Sequence, residues 1–185
     1  MPLVILDRDG VINQDSDDYV RSIADWQPIP GSLEAICALS RGGYRVAIAS
    51  NQSGLSRGYF GLDELEAIHA LLCQQVEELG GEIAGIFYCP HLPEDDCLCR
   101  KPRTGLLVAL ERELGESARG AWFIGDSLKD LQAAQAFGCE AILVETGKGK
   151  ATRKALMSNP PGLDNIDAIP VYNNLLAAAR ALLGS

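Results

Sequence analysis

Five short apolar runs, at residues 3–6, 46–49, 83–88, 121–124 and 141–144, recur along the chain with helical patterns between most of them. Bounded runs of this kind fit strands buried on both faces, and their alternation with helices predicts βαβ units on a mostly parallel sheet. The best-defined helix carries Leu65, Ile68, Leu72, Val76 and Leu79 on one face, with Asp63 as expected N-cap, Glu66 three residues on and Gly80-Gly81 past its end. Weaker helical patterns cover 32–41, 106–114, 128–137 and 174–183, and Ser158-Asn159-Pro160-Pro161-Gly162 reads as a surface loop. A length of 185 residues suits a single domain, 1–185, with a core that needs no disulfides.

The ends of the apolar runs carry the chemistry. Residues 3–13 read LVILDRDGVIN, so the first run delivers Asp7 and Asp9, two positions apart, followed by Gly10. The C-terminal ends of parallel strands are where open α/β sheets place ligands. There, one acid can attack while the other moves a proton, or both can hold a hard cation through oxygen. Taken alone, Asp-x-Asp describes a polar loop equally well. The second run, however, ends in Ser50-Asn51-Gln52-Ser53-Gly54, whose hydroxyls and amides suit phosphate oxygens, and the fourth ends in Gly125-Asp126, where Asp126 completes an Mg²⁺ site with Asp7. Independent loops seldom agree in this way, so a joint site is expected. Lys101, within Arg100-Lys101-Pro102, supplies the cation such a cluster needs to accept an anion.

A second constellation is Cys89-Pro90-His91 followed by Cys97-Leu98-Cys99. Three thiols and an imidazole are Cys₃His zinc chemistry, and four protein ligands leave no open position, so a structural Zn²⁺ bracing the Arg100-Lys101 loop is expected. The intervening Pro93, Glu94, Asp95 and Asp96 make simple apolar packing of these cysteines a poor alternative. Cys37, Cys73 and Cys139 lie in apolar contexts and are expected in the core, whereas His69 is expected at the surface.

The formal net charge of −9, from 16 Lys plus Arg against 25 Asp plus Glu, disfavours nucleic acid or an anionic membrane as partner. No targeting segment and no run of about 18 apolar residues is visible, which points to the cytoplasm and to six cysteines that are reduced or metal-bound.

The order Asp7-Arg8-Asp9-Gly10, Ser50, Lys101 and Gly125-Asp126 resembles the four motifs of the haloacid dehalogenase phosphatase superfamily over nearly the whole chain. The resemblance implies a three-layer α/β/α Rossmann-like fold, an Mg²⁺ held by Asp7, Asp9 and Asp126, Asp7 as nucleophile, Asp9 as acid/base, and Ser50 and Lys101 on the phosphoryl group. A zinc loop directly before Arg-Lys-Pro is similar to that of two bacterial groups, the heptose bisphosphate phosphatases of lipopolysaccharide core synthesis and the histidinol-phosphate phosphatases. Residues 7–13 and 51–58 resemble the heptose group; the histidinol group tends to carry an acid where Ser53 stands. Ser50 replaces the usual Thr and keeps the hydroxyl.

The 40 residues between Asp9 and Ser50 hold a helix and a strand, and those between Ser50 and Lys101 hold a helix, a strand and the zinc loop, so no separate cap domain fits. Selectivity then falls to loops 14–19, 52–60 and 89–101. The expected substrate contacts are Asp7, Arg8, Asp9, Asp15, Ser16, Asp17, Asp18, Ser50, Asn51, Gln52, Ser53, Arg100 and Lys101. The reading is a monomeric, Mg²⁺-dependent phosphomonoesterase acting on a small sugar bisphosphate. Its rivals are a histidinol-phosphate phosphatase and a zinc-braced binding protein without turnover.

Overall fold

The computed structural model describes residues 1–184, so of the predicted domain 1–185 only Ser185 lies outside the described residues. Six strands, β1 (Leu3–Leu6), β2 (Arg45–Asn51), β3 (Gly85–Cys89), β4 (Trp122–Gly125), β5 (Glu140–Val144) and β6 (Val171–Tyr172), form one sheet in the order 3-2-1-4-5-6. Every neighbouring pair is parallel. Six helices cover it: α1 (Ser32–Arg41), α2 (Leu62–Glu78), α3 (Gly105–Leu114), α4 (Leu128–Phe137), α5 (Gly149–Leu156) and α6 (Leu175–Leu183).

Strand alternation divides the core into two slabs. Val4 and Leu6 of β1, with Val46 and Ile48 of β2, pack against α1, α2 and α6. Leu3 and Ile5, with Ala47, Ala49 and Phe123, pack against α3, α4 and Leu156 of α5. This is the expected three-layer α/β/α arrangement. The strand order reverses between β1 and β4, and such a reversal opens a crevice at the strands' carboxyl ends because the connections on either side diverge. Asp7 and Asp126 follow β1 and β4 directly, which puts them at that crevice.

Local chemistry corrects several sequence expectations. Gly61, not Asp63, caps α2: the Glu64 carboxylate reaches back to accept the Gly61 N–H at 2.9 Å. Leu79 is 43% exposed because the helix ends at Glu78 and the chain turns away from the core. Cys73 is only partly buried, while Cys37 and Cys139 are core residues as expected. His69 is buried on α2, the reverse of the surface position expected for it. Two elements escaped the sequence patterns altogether. Helix α5 buries only Gly149, Thr152 and Leu156, too little apolar content to give a period, and β6 is two residues long.

Candidate active site

The Lys101 ammonium is the hub of the crevice. It is 3% exposed and donates to the Ala49 carbonyl at 2.7 Å, to Asp7 Oδ1 at 2.8 Å and to Asp130 Oδ1 at 2.6 Å. Its main chain is held in turn by Asn51, whose Oδ1 accepts the Lys101 N–H while its Nδ2 donates to the Lys101 carbonyl. Asn51, expected to meet substrate, thus spends both amide atoms on positioning Lys101. Asp130 lies in the first turn of α4, where Oδ2 accepts the main-chain N–H groups of Asp126 and Ser127 and the Ser127 hydroxyl. That is a capping box, which fixes α4 and the Asp126 loop together.

Asp7, Asp126 and Asp130 bring one carboxylate oxygen each within 4.8 Å of one another. Gly10 and Gly147 make room for this cluster. Both have positive φ, and a Cβ on either would fall within about 2 Å of Asp126 Oδ2, at 2.0 and 2.2 Å. Three buried carboxylates crowd one ammonium, which donates to Asp7 and Asp130, and the excess charge shows in the protonation of Asp7 and Asp126. Burial, then the Asp130 charge, pushes Asp7 up to about 7 against the pull of Lys101; burial, then Asp7 and Asp130, pushes Asp126 up to about 9. Lys101 is shifted upward despite burial because Asp130 and Asp7 favour its charged form. An oxygen-only donor set carrying uncompensated negative charge fits a hard divalent cation such as Mg²⁺.

The Asp9 carboxylate is not among the three whose oxygens gather there; it is held by donors of its own. Its Oδ1 accepts from Arg8 Nη2 at 2.8 Å, Arg8 Nε at 3.1 Å and Asn13 Nδ2 at 2.9 Å, and its Oδ2 accepts from Gln52 Nε2 at 2.9 Å. Burial acts to raise its pKa, but Arg8 and these donors hold it below the ordinary carboxylate value. The carboxylate oxygens nearest Asp126 are instead those of Asp7 and Asp130.

A cavity of about 600 Å³ opens over these residues. Asp7, Asp9, Lys101 and Asp126 line it together with Asn51, Gln52, Ser53 and Arg100 and with Asp15, Ser16 and Asp17 of the 14–19 loop. Three expected substrate contacts do not line it. Arg8 is wholly buried beneath Asp9, Ser50 is wholly buried with its Oγ accepting from Gln52 at 2.8 Å, and Asp18 faces a neighbouring depression. The sequence brings Asp130 to this edge as the second carboxylate of a pair with Asp126, but gives it no role at the site. Residue patterns missed Lys129 and Lys148, which line the cavity; isolated lysines carry no pattern.

The thiol cluster forms as expected. Cys89 Sγ lies 3.4 Å from His91 Nδ1, 3.6 Å from Cys97 Sγ and 3.0 Å from Cys99 Sγ, and His91 Nδ1 lies 3.2 Å from Cys99 Sγ. Ligands about 2.3 Å from a tetrahedral Zn²⁺ stand about 3.8 Å apart, so four soft donors gathered this closely suit one such ion. Burial pushes the Cys89 thiol up to about 12; Cys97 is held down to about 7, against burial, by the Arg100 N–H and the neighbouring thiols. Arg103 ties the loop further, donating to the Cys97 carbonyl and pairing with Asp96.

The sheet order is that of a dinucleotide-binding fold, yet the turn after β1 carries paired carboxylates where such a site needs glycines against a pyrophosphate. Fold and site together define a Rossmann-like hydrolase. Residues 98–168 match the HAD-hydrolase-like family model. The chain is 49% identical over 181 residues to the D-glycero-β-D-manno-heptose-1,7-bisphosphate 7-phosphatase of Pseudomonas aeruginosa, covering 98% of this chain and 97% of that one. It is 36% identical over 179 residues to the Vibrio cholerae protein of the same name, covering 92% and 95%. Among solved structures, the D,D-heptose 1,7-bisphosphate phosphatase of B. bronchiseptica, complexed with magnesium and phosphate, superposes with a TM-score of 0.91 at 43% identity, covering 100% and 99%. This chain belongs to the haloacid-dehalogenase-like hydrolases, in the family of those heptose bisphosphate phosphatases.

The raised carboxylates give a pH signature for protein prepared without magnesium. Asp7 and Asp126 bind protons more tightly folded than unfolded, where they titrate near 3.8. The stability they contribute is present below that value and is lost as pH rises through about 7 and then about 9. Lys101 adds no slope here, because its loss lies above its ordinary 10.5, and His69, held down to about 4, opposes the fall only below its ordinary 6.5, as one group against two. Thermal melts from about pH 5 to about pH 8 should show a falling Tm without magnesium and a flatter profile with it. A Tm that rises across this window without magnesium would contradict the charge crowding.

Proposed function

We propose that this chain is a magnesium-dependent phosphomonoesterase that removes the 7-phosphate of D-glycero-D-manno-heptose 1,7-bisphosphate in the cytoplasm, acting as a one-domain monomer. The observation that carries the chemistry is the position of Asp7, held on the cavity floor by Lys101 beside an oxygen cluster, with Asp9 two residues on. The relatives' names support the substrate.

In this reading an Asp7 oxygen attacks phosphorus while the phosphorus–sugar oxygen bond breaks, and Asp9 gives its proton to the departing oxygen. A dianionic phosphate beside Asp9 raises its proton affinity from the depressed resting value, since like charge disfavours the ionised form. Asp9, now a carboxylate, takes a proton from water as the water oxygen attacks phosphorus and Asp7 is released. Mg²⁺, when bound by Asp7 and Asp126 with Asp130 beside them, supplies positive charge against the phosphoryl oxygens. Lys101 acts mainly as charge, because Ala49, Asp7 and Asp130 already accept its donors. Ser50 acts from behind the cavity wall through Gln52, which it shares with Asp9.

The far end of the substrate meets a basic wall. Arg100, Lys129 and Lys148 all line the cavity, and burial with the charges of Arg100 and Lys148 lowers the pKa of Lys129. Arg100 Nη1 is buried with no hydrogen-bond partner among the described residues. An anionic remote group satisfies that wall, as the 1-phosphate does.

Asp7→Asn should lower kcat by about 10³-fold or more while binding of a phosphate analogue persists, since the amide keeps the shape and loses the nucleophile. Wild-type rates would sink the assignment. A chiral phosphate ester should be cleaved with net retention at phosphorus, as two displacements require.

Arg100→Ala should lower kcat/KM for the heptose bisphosphate about 10–100-fold, the worth of a charge-assisted hydrogen bond, and leave a small aryl phosphate nearly unaffected. The wild-type enzyme should prefer the bisphosphate to histidinol phosphate in the same assay. The opposite preference would overturn the substrate and keep the chemistry.

The thiol cluster is proposed to hold one structural Zn²⁺ through Cys89, His91, Cys97 and Cys99. Elemental analysis should find one zinc per chain, and Cys97→Ala should lose it and, with it, activity through a loosened Arg100-Lys101 loop. Zinc-free wild-type protein with full activity would refute this.

A further inference from the structure

We propose that His69 is a positioning residue for proton transfer, acting through the buried Arg8 to fix the orientation of the Asp9 carboxylate. This rests on the reading of Asp9 as the proton donor. Arg8 is wholly buried, and its planar guanidinium is shared between two partners: Nε and Nη2 donate to Asp9 Oδ1, and Nη1 lies 3.0 Å from His69 Nε2. A guanidinium has donors only, so His69 Nε2 accepts and the imidazole is neutral. Burial and the Arg8 charge hold its pKa down to about 4, consistent with that form.

The ring is itself fixed. His69 sits on the buried face of α2 beside Ile68 and Leu72, and its ring centre lies 5.8 Å from that of Tyr88. Holding Nη1 fixes the plane of the fork, and the opposite edge of the same fork meets Asp9. With an apolar residue at 69, Nη1 becomes a buried donor without a partner, and the guanidinium must turn to find one. Asn13 and Gln52 still hold Asp9, so the effect should be that of a lost supporting contact, about 10-fold to 100-fold, and not that of removing the acid. His69 does not line the cavity, so substrate affinity should be spared.

The experiment compares kcat/KM for a sugar phosphate, whose departing alkoxide needs a proton, with that for 4-nitrophenyl phosphate, whose leaving group does not, with magnesium present. kcat/KM counts steps only through departure of the alcohol, so the later use of Asp9 as base does not enter. His69→Leu should lose about tenfold or more on the sugar phosphate beyond any loss on the aryl ester, with inhibition by inorganic phosphate unchanged. His69→Gln, whose amide oxygen reaches the place of Nε2, should recover to within about threefold of wild type. Equal losses on both substrates, or a Gln variant no better than Leu, would overturn the proposal. Should His69→Leu not fold, His69→Asn, whose amide falls short of Arg8, must show the same split or the proposal fails. Asp9→Asn separates the two levels. A larger split there with none at His69 overturns only the positioning role, and no split there overturns the reading of Asp9 and this inference with it.

Discussion

Everything at the crevice is organised around one buried ammonium. Lys101 joins the Ala49 carbonyl at the end of β2, Asp7 beyond β1 and Asp130 at the start of α4, so three elements of the sheet edge meet at a single charge. Buried carboxylates without a cation are expensive, and removing one partner of such a buried pair costs about 3–5 kcal/mol. The cluster and the lysine therefore form together or not at all. Because Asn51 grips the Lys101 main chain from both sides, the position of the ammonium is set by β2 and not by the flexibility of a long side chain.

That arrangement depends on topology. Lys101 arrives on the loop that follows β3, an edge strand, and must cross past β2 to reach the β1–β4 crevice. Residues 90–100 are rich in Pro, Asp, Glu and Arg and bury little that would fold such a loop by packing alone. Gathering Cys89, His91, Cys97 and Cys99 closes the loop on itself, beginning at the last residue of β3 and ending two residues before Lys101. The proposed zinc supplies by coordination what the loop lacks in core, and it works at a distance from the carboxylates because thiolates and carboxylates select different ions.

Much of this was legible from residue patterns, for a physical reason. Strands covered on both faces must be continuously apolar, so β1, β2, β4 and β5 announce themselves, and the polar residue following each one marks the sheet mouth. The Cys/His spacing is equally local. What patterns missed depends on long-range packing. Arg8 looked like a substrate contact because it sits between two site acids, yet the turn that follows β1 buries it against His69, 61 residues away. His69 looked like a surface residue because nothing near it in sequence reveals a buried guanidinium seeking an acceptor. Nor does the sequence announce that Asn13 and Gln52 would converge on Asp9 as donors.

The charge of the chain poses a last question: how a protein with a formal net charge of −9 accommodates a doubly phosphorylated sugar. Net charge sets the distant field, whereas a recessed site responds to the groups that face it. Here the acids and bases are sorted. The carboxylates Asp7, Asp126 and Asp130 sit on the floor, where a divalent cation turns them from repulsive to attractive. Arg100, Lys129 and Lys148 line the cavity beyond them, while Asp15 and Asp17 line it from the 14–19 loop. Asp15 Oδ2 lies 3.8 Å from Lys148 Nζ, so the two walls meet and partly neutralise each other at that point. The cationic and the anionic groups of the rim therefore face the cavity from neighbouring segments, with Lys148 and Asp15 at their junction. The local field at the cavity thus follows from which groups line it, not from the net charge of the chain.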